Sequence, residues 1–252
     1  MRATGVSAQL CRIAVVLACG ATIAAAQPLS LDPPSSDELI GGAAPEHFLF
    51  FSGFDLWRFG YGGYAGLQWG ANGLNEDGFV LRVFLSDGLE RFDTPTTRYR
   101  TAILRASILP GWRFKRGSLE MKIFAGPDFE RDDFSPVQAP RLPYLVSFGA
   151  RAAIDLWWEP TAATMLSASA AATTIANGYN ARFAGGWRVL DAGWVGPEIA
   201  ISADRFSEQY HIGAHFTGLK AFALEWSFAA GYVQDSFKRS GMYGRISILT
   251  RR

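Results

Sequence analysis

Beyond residues 1–26 the chain has no cysteine, because its two, Cys11 and Cys19, both lie within that stretch. A disulfide framework and a cysteine-ligated metal are therefore excluded for the rest of the molecule. Histidine is nearly as scarce, at three residues. The motifs GxSxG and HExxH and the glycine loop of nucleotide-binding proteins are all lacking, so neither a cofactor nor an enzymatic activity is expected. No block of like charges occurs, and 24 basic residues against 23 acidic ones leave almost no net charge, which argues against a nucleic-acid partner. The main apolar run, Ile13 to Ile23, is too short and alanine-rich for a membrane-spanning helix.

That run has another reading. Arg2 and Arg12 precede or open it, and Ala24-Ala25-Ala26 supplies small residues before Gln27, the pattern of a secretory signal peptide over 1–26. Val16-Leu17-Ala18-Cys19-Gly20 offers an alternative, a lipoprotein cleaved before Cys19. Residues 27–46 hold Pro28, Pro33, Pro34 and Pro45 among serines and glycines, with no apolar period, and read as a flexible lead-in. His47 is expected at its solvent-exposed end. Residues 47–252 are expected to form one domain.

What is abundant is glycine (27), phenylalanine (19), tryptophan (8) and tyrosine (8), a composition of strands, tight turns and aromatic belts. Side chains alternate strictly. In 179–189 Tyr179, Ala181, Phe183, Gly185, Trp187 and Val189 oppose Asn180, Arg182, Ala184, Gly186 and Arg188. In 222–232 Phe222, Leu224, Trp226, Phe228, Ala230 and Tyr232 oppose Ala223, Glu225, Ser227, Ala229 and Gly231. A period of two is that of a strand. The pattern predicts strands at 48–57, 61–69, 78–87, 99–114, 118–129, 144–158, 162–176, 179–189, 193–204, 208–218, 222–235 and 240–250. The alanines of 162–176 would also suit a helix. Asn177-Gly178 reads as a two-residue hairpin turn, and longer connections fall at 70–77, 88–98 and 130–143.

An even number of such strands fits an all-β, antiparallel transmembrane β-barrel of about 12 strands, within a range of about 10 to 12, lying in an outer membrane. A soluble two-sheet sandwich also alternates, but here large aromatics crowd the apolar faces while the opposite faces mix Gly, Ala and Ser with single charges. Aromatic girdles outside and a narrow polar lumen explain both. Arg82, Arg105, Glu120, Lys122, Arg151, Asp155, Arg182, Arg188, Glu198, Asp204, Glu225 and Arg245 are the expected inward ions. Phe183, Trp226 and Phe228 are expected to face lipid. The chain ends Ile248-Leu249-Thr250-Arg251-Arg252, without the terminal aromatic that assists assembly of many such barrels.

Few residues invite chemistry. His211 and His215 would share a face of one strand ~13 Å apart, at about 3.3 Å per residue, too far for one ion. Ser202 and His211 could neighbour each other as a nucleophile and its base. Gly126-Pro127-Asp128 and Gly196-Pro197-Glu198 each place a carboxylate after a proline. Such prolines are expected at bulges or strand ends, where Asp128 and Glu198 could be re-aimed inward, with Arg182 the expected partner of Glu198. Trp57, Trp157 and Trp194 serve either as rim aromatics or as platforms for sugar rings.

Gly78-Phe79-x-x-Arg82, Gly126-Pro127-Asp128-Phe129-Glu130, Gly178-Tyr179-x-x-Arg182, Gly196-Pro197-Glu198 and His211-Ile212-Gly213-Ala214-His215 with Gly218 resemble the cellulose biosynthesis protein family called BcsS, from about Gly53 to Ile248. The resemblance implies a role beside a bacterial cellulose synthase in the outer envelope, and it carries over no catalytic residues. The expectation is a non-enzymatic outer-membrane accessory of exopolysaccharide formation, aiding export, organisation or anchoring of glucan. Its partners would be the lipid bilayer, a cellulose or glucan chain and components of the synthase complex. The alternatives are a barrel enzyme acting on lipid or polysaccharide, and a small-solute porin.

Overall fold

The computed structural model describes residues 46–93, 97–136, 144–189 and 192–252. The expected signal at 1–26 and nearly all of the lead-in lie outside them. Twelve strands follow in order: β1 Phe48–Trp57, β2 Gly60–Gly70, β3 Gly78–Asp93, β4 Arg98–Arg116, β5 Leu119–Pro136, β6 Leu145–Thr161, β7 Thr164–Thr173, β8 Tyr179–Val189, β9 Gly193–Ala203, β10 Glu208–Ala221, β11 Leu224–Asp235 and β12 Ser240–Arg251. Each pairs antiparallel with its sequence neighbour, and β12 pairs with β1, so the sheet closes into a barrel. Closure gives every strand two partners and leaves no edge. The alanine-rich segment is strand β7, because its two neighbours saturate backbone groups that a lone helix-prone segment would have paired within itself.

The register puts the apolar faces outside. Val83, Ile108, Ile123, Ile154, Phe183, Ile199, Ile212 and Ile246 are exposed on the outer wall. Around the end that carries the chain termini, Trp69 pairs with Phe48, Trp112 with Phe79, Trp158 with Leu166, Trp187 with Thr164 and Trp226 with Ile248. These five tryptophans form one outward belt. At the other end the exposed outward aromatics include Tyr144, Tyr179, Tyr210 and Tyr232. An apolar band between two aromatic rings is the surface a bilayer selects.

Several local expectations change. Of the connections expected at 88–98 and 130–143, the described residues 88–93 and 130–136 are strand, since β3 runs to Asp93 and β5 to Pro136; the pairing of Glu90 with Thr101 and of Asp132 with Ile103 continues the ladders. The hairpin expected at Asn177-Gly178 turns one residue earlier. Ala176 and Asn177 take the positive φ values, 51° and 53°, and the Gly178 N–H donates to the Ile175 carbonyl at 3.0 Å, while its carbonyl accepts from the Thr173 N–H at 2.8 Å, so a mirror-image type of β-turn lies within a four-residue connection, 174–177. Phe222 and Ala223 are likewise turn residues rather than strand, with φ of 55° and 59°. His47 is half-buried, its Nδ1 2.8 Å from the Gly70 carbonyl oxygen, because the strand closure holds it: its own N–H donates to the Arg252 carbonyl.

The two Gly-Pro pairs make neither bulges nor strand ends. The β8–β9 ladder passes from Ala184 opposite Glu198 to Trp187 opposite Val195 with no change of register, and the β4–β5 ladder passes similarly from Ser107 opposite Asp128 to Gly111 opposite Phe124. On their other sides Pro197 and Pro127 stay paired, with Ala214 and Ala150. A proline lacks one N–H and so weakens one of its two ladders while the other holds its position. Register shifts occur elsewhere, between Thr217 and Leu219, where Gly218 has a φ of 93°, and between Trp158 and Thr161.

Candidate functional site: the charged lumen

The inward faces enclose a cavity of about 1050 Å³ whose lining reaches from Ser118, Glu225 and Arg251 near the terminal end to Glu90, Thr101 and Phe206 at the other. Two of the cations that line it, Arg182 and Arg245, meet at Glu198, which lies behind the lining. The side chain is completely buried and stands between two cations: Arg182, whose Nε donates to Oε2 at 2.8 Å, and Arg245, which pairs with Oε1. Arg245 also approaches Asp55 at 3.9 Å. Two carboxylates thus balance two guanidinium groups. Tyr243 lies 3.5 Å from Glu198 Oε1, and His211 meets the edge of its ring with centroids 4.8 Å apart. Gly213, directly across from Glu198, leaves the room that this group needs.

A second cluster lies toward the terminal end. Arg82 pairs with Asp155, donates to Gln68 at 3.2 Å and covers the Phe124 ring at 3.9 Å. Glu120 accepts from Arg113 at 2.5 Å and from Lys122 at 2.7 Å. Asp128 sits apart from Glu198, buried beside Arg151, whose Nε is 3.3 Å away. Buried ions persist only when other groups neutralise and bond them. Arg82 with Asp155, and Arg113 and Lys122 with Glu120, meet that condition through one another, whereas Asp128 is balanced by Arg151 without a hydrogen bond to either of its oxygens among the described residues.

His215 holds the wall together. The Gly185 carbonyl lies opposite Pro197, which has no N–H to give it, and His215 Nε2 donates there instead at 3.1 Å; its Nδ1 is 3.0 Å from the Thr217 hydroxyl. The ring reaches across Gly196, where any side chain would collide with the Gly185 carbonyl oxygen. His215 is 2% exposed. Its replacement by alanine should leave that carbonyl unpaired and cost about 1–3 kcal/mol. The urea midpoint for unfolding from lipid vesicles measures it, and an unchanged midpoint would show that the bond contributes nothing.

The two histidines therefore have separate partners, and Ser202 lies across from Gln209 while His211 lies across from Ala200. Trp57, Trp157 and Trp194 face inward rather than joining the outer belt. Trp57 and Trp194 are buried, and Trp157 lines the cavity and donates to Glu159 at 2.9 Å. Phe51, Tyr64 and Phe84 line it too, in mutual ring contact at 6.1–6.5 Å. Asp55 and Tyr243 were missed as members of the Glu198 group. The alternation of β1 and β12 marks both as facing one way, but only closure of the barrel brings β12 within reach of β9.

The family model for cellulose biosynthesis protein BcsS matches residues 49–252. No curated protein matches the sequence. Solved structures similar to this chain include a KdgM porin, with a TM-score of 0.41, 10% identity, and coverage of 80% of this chain and 98% of that one. The transport unit of the autotransporter AIDA-I from Escherichia coli gives 0.45 and 8%, covering 94% and 96%. LpxR from Salmonella typhimurium gives 0.44 and 11%, covering 81% and 99%.

Proposed function

This chain belongs to the BcsS family of cellulose biosynthesis proteins, and on that premise we propose that it is a non-enzymatic accessory of the outer membrane that handles the glucan chain as it leaves the cell. The observation that carries this reading is the lumen: a cavity of about 1050 Å³ running between the two ends, lined by paired ions and by the aromatic faces of Phe51, Tyr64, Phe84 and Trp157. Pyranose rings have apolar C–H faces and hydroxyl edges. Aromatic rings present negative faces to such C–H groups, and the interleaved polar side chains can exchange hydrogen bonds with the hydroxyls.

The outer wall supports the location, since its apolar band and aromatic belts suit a bilayer. Export would proceed through the segment read as a cleaved signal at 1–26. The non-enzymatic reading is supported by Glu120, Asp155 and Glu198, inward carboxylates that are occupied in ion pairs. Beyond lipid and glucan, components of the cellulose synthase complex are the partners that the family membership favours.

Deletion of the gene, with cellulose yield and surface-retained cellulose measured together, tests the role. A fall in yield is the outcome expected for passage or organisation of the chain, and normal yield with lost retention is expected for anchoring. Unchanged yield and retention would overturn the proposal.

A further inference from the structure

At the end away from the chain termini, the β9–β10 turn does not stand clear of the barrel mouth. Asp204 Oδ1 accepts from the N–H groups of Phe206 at 2.8 Å and Ser207 at 3.0 Å, which fixes the turn. Its side chains then cross to the opposite wall. The Ser207 hydroxyl donates to Glu90 of β3 at 3.0 Å, Asp204 pairs with Arg105 of β4 at 3.7 Å, and Arg205 stands 3.3 Å from Asp132 of β5. Phe206 lies flat on Phe134, with centroids 5.5 Å apart and planes 6° from parallel, and Phe134 stacks in turn on Tyr99 at 5.1 Å and 12°.

The groups beside this stack have unmet hydrogen-bonding capacity. Thr101, opposite Phe134 in the β4–β5 ladder, is 2% exposed, and its hydroxyl has no hydrogen-bond partner among the described residues. Asp132 is 3% exposed and accepts no hydrogen bond at either oxygen from the described residues, although Arg205 balances its charge. Buried polar groups are ordinarily bonded, and unbonded ones call for an explanation. A ligand that satisfied them would need hydroxyl groups along an edge, and one that displaced Phe206 from Phe134 would need a flat apolar face. A hexopyranose has both.

We propose that Tyr99, Phe134, Thr101 and Asp132 form a docking subsite for one glucosyl unit of a β-linked glucan at the mouth away from the chain termini, and that Phe206 occupies this subsite as a removable cover in the resting barrel. The inference rests on the glucan reading above and goes beyond it in naming the subsite and its cover. The incoming sugar ring takes the place of the Phe206 ring, and its hydroxyls bond to Thr101 and Asp132. Moving the turn also clears the mouth, so occupancy and opening are coupled.

The test uses the purified barrel in lipid vesicles for calorimetric titration with cellohexaose, and in planar bilayers for conductance. A cover lowers apparent affinity in proportion to the time it leaves the site free. Phe206→Ala should therefore tighten cellohexaose binding about tenfold if the site is free about a tenth of the time, and should raise the fraction of time spent conducting. Phe134→Ala added to Phe206→Ala should abolish that binding, and Thr101→Val should weaken it without closing the mouth. Should Phe206→Ala fail to show the heat-modified gel mobility of a folded barrel, Arg205→Ala, which frees the turn but keeps the ring, must tighten binding in its place.

Equal affinity in the unaltered and uncovered proteins, or binding that survives loss of Phe134, would overturn the subsite. If gene deletion lowers cellulose while Phe206→Ala changes neither binding nor conductance, the subsite alone fails. If the uncovered barrel binds cellohexaose while deletion leaves cellulose unchanged, the cellular role fails and the subsite stands.

Discussion

Replacing Glu198 with glutamine is expected to destabilise the folded barrel by about 3–5 kcal/mol, the cost of leaving buried cations without their counter-charge. Arg182 and Arg245 both converge on this carboxylate, and with Asp55 the group is electrically balanced. Removing Glu198 leaves one uncompensated positive charge. Removing Arg182 leaves one negative charge, but Arg182 is partly exposed, at 35% of its side chain, so water offsets more of the loss and its single effect should be smaller.

The double change Glu198→Gln with Arg182→Gln restores the balance between Asp55 and Arg245. It should therefore cost less than the two single changes summed, by about 0.5–3 kcal/mol, the range of coupling between contacting residues. Urea unfolding from lipid vesicles, followed by tryptophan fluorescence, reads all three. Simple additivity would mean that the pair does not interact energetically. If every variant remains as stable as the parent while surface cellulose falls, the group acts on the glucan rather than on the fold.

Substituting arginine for Phe183 is the second large effect, expected to cost about 2–4 kcal/mol because a charge at the bilayer midplane has no hydrating partner. Phe183 lies halfway along β8 between Tyr179 and Trp187, all three exposed on the outer face. Arginine at Trp187, inside the belt near the terminal end, should cost less than about 1 kcal/mol beyond the lost ring contacts, because the guanidinium can reach the interface. Equal penalties at both positions would contradict the depth assigned to them. No penalty at Phe183 would mean that this wall does not meet lipid.

Much of this architecture was legible in residue order because alternation is a local property. Arg182 and Phe183 point to opposite sides whatever strand lies beside them. Turns were less legible. Gly178 is drawn into the β7–β8 ladder, its carbonyl accepting from the Thr173 N–H, so it cannot be a central turn residue, and the positive φ values fall on Ala176 and Asn177 in the connection 174–177. Local propensity favoured the glycine, but pairing of the whole hairpin decided the turn. The Gly-Pro sites resemble bulges or strand ends in the sequence for a similar reason. A proline reveals that one hydrogen bond is lost, but not that the strand on its other side holds the register or that His215 supplies the donor from β10.

The sequence by itself determined the strands, the inward and outward faces, the expectation of twelve strands and the family resemblance, because each depends on side-chain order along a stretch of about ten residues. The tertiary structure decided which charges meet and what crosses the mouth. Glu198 and Arg245 are on β9 and β12, and Phe206 and Phe134 are on a turn and a strand from different parts of the wall. Such partners are set by the circumference and stagger of the closed sheet, which belong to all twelve strands together and are encoded in no single segment.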